Sequence, residues 1–168
     1  NVLEGLQAIH DAGLVHRDIK PSNLMVTPRG DACILDLGLA RVIGEPEPPT
    51  PPNVIIGTLD FISPEQLRNP HLVDARADLY SLGCTLYFAL TGRAPFEGGT
   101  LVNKIFKHRV EMPEPLTSVS RSIPKGLARV VEQLLAKDPA ARYASCPALA
   151  REIQGFLEPN NGGRPRTA

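Results

Sequence analysis

Leu3, Leu6 and Ile9 recur at helical spacing and the run stops at Gly13, which places the start of the chain inside a helix. Two short apolar runs follow, Leu24 to Thr27 and Ala32 to Leu35, separated by Pro28-Arg29-Gly30-Asp31. Runs of that length around a Pro/Gly turn predict a β-hairpin, with Asp36 at its exit. Residues 44–53 hold five prolines and almost nothing apolar, which predicts an extended, exposed loop. Ser63-Pro64-Glu65-Gln66 then offers an N-cap serine, a proline for the first helical position and a glutamine placed to close a capping box, so a short helix should start there. From Asp74 to Leu90 the chain is apolar on most sides and ends in Gly92, the pattern of a central helix buried on most of its faces. Everything after it reads as helical, with 3.6-residue periodicity in Pro124–Ala136 and Pro147–Leu157, until Asn160 to Ala168 dissolve into Gly, Pro and Arg. The pattern predicts a mainly α-helical unit with small β-hairpins over residues 1–157 and a flexible tail or linker over 158–168.

Composition narrows the partners. A chain of 168 residues supports one cored domain, and 18 Lys plus Arg against 18 Asp plus Glu gives no net field toward nucleic acid or an anionic membrane. The longest uncharged apolar stretch, Leu79 to Leu90, is about twelve residues where a bilayer needs ~20, so no transmembrane segment is expected. Cys33, Cys84 and Cys146 are an odd number without metal-ligand or redox spacing and read as buried free thiols in a reducing compartment, which points to the cytoplasm, the parent being able to be membrane-tethered. The chain opens on Asn1 with no signal-like segment, and a fragment or processed chain is expected.

His16-Arg17-Asp18-Ile19-Lys20-Pro21-Ser22-Asn23 packs a carboxylate, an ammonium and a carboxamide into one loop between the first helix and the hairpin. Singly, Asp18 or Asn23 reads as a turn residue bonding its own backbone. As a set they suit phosphoryl transfer, which asks for a carboxylate to accept the nucleophile's proton and a lysine beside it to steady the γ-phosphate. Asp18 and Lys20 fit those roles, and Asn23 with Asp36 supplies the oxygen ligands that Mg²⁺ prefers.

This stretch resembles the catalytic loop of protein kinases, and Asp36-Leu37-Gly38 is similar to the kinase magnesium motif with Leu in place of Phe. Gly57-Thr58 and Ser63-Pro64-Glu65 look like the end of an activation segment, with Ser where Ala is usual. Asp78 to Gly83 resembles the start of the kinase central helix, and Arg142 matches the late arginine that pairs with the activation-segment glutamate. The resemblance spans about residues 1 to 157 and follows the serine/threonine rather than the tyrosine pattern, with a bacterial flavour in Lys-Pro-Ser-Asn and Asp-Leu-Gly. It implies the C-terminal lobe of the bilobal kinase fold, ATP and Mg²⁺ as cofactors, and protein substrates offering Ser or Thr. It also implies individual roles. Thr58 would bond Asp18 and Lys20, and Met25 would floor the adenine site. His16 and Leu37 would stack in a hydrophobic column, while Asp78 would accept backbone donors from the catalytic loop. Glu65 and Arg142 would form a buried or half-buried ion pair. Arg17 would keep an unpaired guanidinium until a phosphate on Thr50, the only hydroxyl residue between Gly38 and Gly57, pairs with it, with Arg41 as a second partner.

A kinase also needs a Gly-rich loop, a strand lysine and a helix glutamate, and these 168 residues offer none; Gly98-Gly99 and Gly162-Gly163 read as turns. The expectation is an N-terminally truncated kinase whose parent acts on Ser or Thr, the piece alone being inactive without its own N-terminal lobe. The alternative is a pseudokinase-like docking module. Small-molecule phosphotransferases share the Asp…Asn…Asp logic but lack the Ser-Pro-Glu segment and its arginine.

Overall fold

The computed structural model describes residues 1–43 and 59–157. Among these residues seven α-helices and four short strands follow in chain order: α1 (Val2–Asp11), β1 (Leu14–Val15), β2 (Leu24–Val26), β3 (Ala32–Ile34), β4 (Arg41–Val42), α2 (Pro64–Arg68), α3 (Arg76–Thr91), α4 (Leu101–Val110), α5 (Leu116–Val119), α6 (Lys125–Leu134) and α7 (Cys146–Leu157). The expected proline-rich loop and the tail lie outside the described residues.

Helix α3 is the axle of the unit. Ala77 through Thr85 are buried without interruption, and the helix stops where Gly92 takes φ 76°, a left-handed cap that glycine adopts without strain. One side of α3 packs Leu79 and Leu82 against Leu6 of α1, Val130 and Leu134 of α6 and Leu149 of α7. The other side packs Tyr80, Cys84 and Tyr87 against Leu116, Ile123, Val131 and Leu135. Gly83 lets α6 approach, because a Cβ there would lie 2.7 Å from Leu134 Cβ. Helix α2 starts as its sequence dictates, with Ser63 and Gln66 closing a reciprocal capping box and Pro64 in the first turn. Helix α4 carries no strong apolar period; its Thr100 cap and one buried residue, His108, place it against the body.

The buried thiols are Cys84 and Cys146, whereas Cys33 is exposed because its short strand presents it away from the helices. Burial pushes the Cys146 thiol up to about 12 and Cys84 higher still, so both stay protonated and inert.

His108 sits in an aromatic cage outside the predicted site. Lys137 Nζ donates to the Tyr80 hydroxyl oxygen at 3.2 Å, which leaves the Tyr80 hydrogen for His108 Nδ1 at 3.0 Å. Phe96 meets the imidazole edge-on at 4.9 Å. Burial first, and then the Lys137 charge, lower the His108 pKa from 6.5 to about 3, with Asp60 raising it and Lys104 lowering it more weakly. The unfolded chain therefore takes up a proton on this ring below 6.5 while the folded protein does not. Stability from this source is full above 6.5 and falls as the pH drops toward about 3. Replacing His108 by Gln should make unfolding take up about one proton fewer between roughly pH 6.5 and 4. Denaturant titrations across that range check it, and equal slopes for both proteins would exclude the cage as the source.

Candidate active site

Two strand pairs force two loops together. The segment from His16 to Asn23 joins β1 to β2, and Leu35 to Ala40 joins β3 to β4. Because β1 pairs antiparallel with β4 (Val15 opposite Arg41) and β2 with β3 (Leu24 opposite Ile34), both ends of each loop are held beside the other loop. Leu35 N donates to the Asn23 carbonyl at 2.8 Å, so Asp36 leaves the hairpin next to Asn23. The turn of that hairpin is made by Gly30 at φ 87°.

Asp18 is the meeting point. Lys20 Nζ donates to its Oδ2 at 2.6 Å, and Asn23 Nδ2 donates to the same oxygen at 3.0 Å and to the Asp18 carbonyl at 2.9 Å. Both flanking side chains thus point a donor at one carboxylate oxygen, and among the described residues nothing bonds Oδ1. Asn23 itself is buried in a 3₁₀ turn (Pro21–Asn23), where Pro21 starts the turn. Using its amide nitrogen on Asp18 leaves Asn23 a carbonyl oxygen as its remaining polar group.

The loop is held from below by α3. Asp78, fully buried in the first turn of that helix, accepts from His16 N at 2.9 Å and Arg17 N at 2.8 Å, the backbone donors expected of the catalytic loop. A third partner was not read from the sequence: His10 Nε2 lies 2.8 Å from Asp78 Oδ2, and His10 Nδ1 faces Cys146 Sγ at 3.8 Å. Its position in the last turn of α1, one residue before the helix ends and seven before Arg17, was the available signal. Arg17 takes φ 67°, a left-handed conformation that costs about 1–2 kcal/mol for a residue with a Cβ. Its N–H bond to Asp78 helps hold it there.

Of the two residues expected in the hydrophobic column, His16 is fully buried with Nδ1 accepting from Asp18 N at 3.3 Å, and Leu37 is 53% exposed. Met25 is likewise 47% exposed on β2, so its flat-ring role has an available surface. Arg17 is not an unpaired guanidinium: its Nη2 donates to the Pro70 carbonyl at 3.1 Å, because the turn after α2 runs beside the loop. Arg41 lies on exposed β4. Thr50 and Thr58 lie outside the described residues.

Glu65 and Arg142 form the ion pair, bidentate at 2.6 and 2.9 Å, with the arginine side chain fully buried. That pair ties α2, the element following the activation-type segment, to the turn before α7.

The donor set around Asn23 and Asp36 suits Mg²⁺. Asp36, at φ 61°, accepts Gly38 N at 2.7 Å with Oδ1, and a Cβ at Gly38 would lie 2.9 Å from that oxygen, so a larger residue there would push the carboxylate aside. Its Oδ2 and the Asn23 carbonyl oxygen are hard ligands of the number that Mg²⁺ takes from protein when phosphates and waters complete the shell. Among the described residues no cluster of three or more His, Cys, Asp or Glu offers a closed cage for another metal. Among the same residues no helix is long and apolar enough to cross a membrane.

Comparison with known proteins agrees with this geometry. The chain is 39% identical over 158 residues to a probable serine/threonine-protein kinase of Streptomyces coelicolor, a match covering 94% of this chain and 23% of that protein. It is 38% identical over 165 residues to the serine/threonine-protein kinase PknB of Mycobacterium leprae, covering 98% and 26%. A probable PknB of Bifidobacterium longum matches at 37% over 168 residues, covering 99% and 24%. The chain thus spans about a quarter of the length of the curated relatives it matches. The protein kinase domain model matches residues 1–153, so the chain belongs to the protein kinase family and has the C-terminal-lobe fold of that family.

Proposed function

We propose that these residues serve phosphoryl transfer from ATP to Ser or Thr hydroxyls of protein substrates, as part of a signalling kinase. The observation that carries it is the convergence of Lys20 and Asn23 on one oxygen of Asp18. With Oδ2 engaged by two donors, Oδ1 is the acceptor for the substrate hydroxyl's proton. Proton transfer to Asp18 accompanies bond formation between that hydroxyl oxygen and the γ-phosphorus as the bridging bond to the β-phosphate breaks. Lys20 is close enough to share its charge between Asp18 and the transferred group. Asp36 and Asn23 would hold Mg²⁺, which when bound offsets charge on the phosphates. Met25 would supply an apolar floor for adenine. Thr58 would bond Asp18 and Lys20, and Thr50 would be the activating phosphosite, supported by its being the sole hydroxyl among the prolines of its loop. Arg17 and Arg41 are the cations on neighbouring elements, and a phosphate dianion would compete with the Pro70 carbonyl for Arg17.

One experiment tests both parts. Full-length protein incubated with Mg-ATP should label itself or a generic basic protein on Ser and Thr only, with Thr50 among the sites mapped by mass spectrometry. Absence of any transfer, or transfer to tyrosine, would remove the reading; an unmodified Thr50 in fully active protein would remove the phosphosite.

A further inference from the structure

We infer that Gln66 is a positioning residue that clamps the Arg17–Asp18 peptide and so couples the segment ahead of α2 to the catalytic carboxylate, an assignment that rests on the phosphoryl-transfer reading. In a capping box the glutamine's task ends at the N-cap backbone. Here its two amide ends do different work. Oε1 accepts from Ser63 N at 3.1 Å and from Ser63 Oγ at 2.9 Å, which closes the cap. Nε2 donates to the Arg17 carbonyl at 3.1 Å, a contact between residues 49 apart in sequence. Only this amide orientation satisfies both ends, since the reverse would set a donor against Ser63 N and an acceptor against the Arg17 carbonyl.

The bonded carbonyl belongs to the peptide that begins Asp18. Arg17 stands in a left-handed conformation, φ 67°, with its N–H fixed by Asp78 at 2.8 Å. Asp78 fixes the near side of this residue, but the far side, the carbonyl, is held by Gln66. With Gln66 removed, that peptide keeps only the long 3.3 Å bond from Asp18 N to His16 Nδ1, so the strained residue relaxes by rotating it, and that peptide carries the base. Misplacement of a catalytic group by about 1 Å costs on the order of 10²-fold in rate. Because Gln66 sits one residue after Glu65, whose carboxylate is locked on Arg142, the clamp is built on a fixed point of the body. Any motion of the segment ending at Ser63 is felt first at this glutamine, and through it at Asp18.

Substitution separates the clamp from the cap. Gln66→Glu keeps an oxygen for Ser63 N but opposes the Arg17 carbonyl with a second acceptor, whereas Gln66→Met removes both contacts. A purely capping role leaves Glu near wild type and makes Met the damaging change. The clamp requires both variants of the full-length protein to lose about tenfold or more in kcat with KM for ATP within about twofold, Glu at least as much as Met. Amide exchange of the Asp18 N–H should quicken about tenfold in both variants, a readout that stands even if wild-type protein transfers no phosphate, so failure of the enzymatic reading and failure of the clamp are told apart. Should Glu and Met fail to fold by thermal melt, Gln66→Asn, one methylene too short to reach both partners, takes their place. A folded variant with wild-type kcat, or with unchanged Asp18 exchange, overturns the assignment.

Discussion

Asp18→Asn should cut kcat by about 10²- to 10⁴-fold while leaving the affinity for ATP close to wild type. The geometry explains why so small a change is so costly. Lys20 Nζ and Asn23 Nδ2 are both donors and both address Oδ2 of Asp18. An asparagine at position 18 must therefore turn its carbonyl oxygen toward them, since its NH₂ group would collide donor to donor. That leaves the NH₂ where the substrate hydroxyl needs an acceptor, so the variant both lacks a base and presents the wrong polarity to the nucleophile. Fold and loop geometry should survive, because an oxygen remains to accept from both Lys20 and Asn23. Asp36→Ala provides the contrast: its carboxylate is a proposed metal ligand that, among the described residues, bonds Gly38 N rather than Lys20 or Asn23, so its removal should abolish productive Mg-ATP binding rather than turnover alone. Steady-state kinetics and calorimetric titration with Mg-ATP on the two variants check the split. Turnover of Asp18→Asn within about threefold of wild type would rule out Asp18 as the base.

Much of this site was legible in the chain because its chemistry is local. Asp18, Lys20 and Asn23 fall within one short loop, and the hairpin that delivers Asp36 is written in a Pro/Gly turn between two apolar runs. The central helix announced itself by burying nearly every face, and α2 by its capping box. Long-range contacts were legible only where a residue stood out against its surroundings. Asp78 was one, a carboxylate opening an apolar helix and so in need of donors, though only the kinase resemblance placed those donors in the catalytic loop. His10 was not, because a histidine near a helix end has many ordinary roles, and nothing local says that a buried carboxylate 68 residues later will meet its ring. Gln66 was read for its cap alone, since the second bond depends on how the chain returns to Arg17. The exposure of Leu37 and Cys33 likewise follows from how short strands are seated on the helical body, which a two-residue or three-residue apolar run does not specify. The cage around His108 joins α3, α4 and the segment after α6 through groups that look unremarkable one by one.

Arg142→Met should destabilise the fold by about 3–5 kcal/mol, the cost of leaving one side of a buried ion pair without its partner. The guanidinium is fully buried and spends all five of its donors: Nε on the Ala136 carbonyl at 2.8 Å, Nη1 on Glu65 at 2.6 Å and the Arg76 carbonyl at 2.8 Å, and Nη2 on Glu65 at 2.9 Å and the Lys137 carbonyl at 3.3 Å. Its plane also lies over the Tyr80 ring, 4.9 Å from the centroid. One side chain therefore joins α2, the start of α3, and the chain leaving α6. Methionine matches the volume but strands the Glu65 carboxylate, only 16% exposed, and three carbonyls. Lysine would fare little better, since a tetrahedral ammonium cannot make the bidentate fork and reaches fewer of the carbonyls. If the stranded charge is the dominant loss, then adding Glu65→Gln to Arg142→Met should recover part of the stability, so the double variant would be more stable than the Arg142→Met single one. Denaturant unfolding of the four proteins in that cycle decides it. A single variant within about 1 kcal/mol of wild type would mean that the pair is bridging solvent rather than holding the body together, and a double variant no better than the single would move the cost from the carboxylate to the three carbonyls.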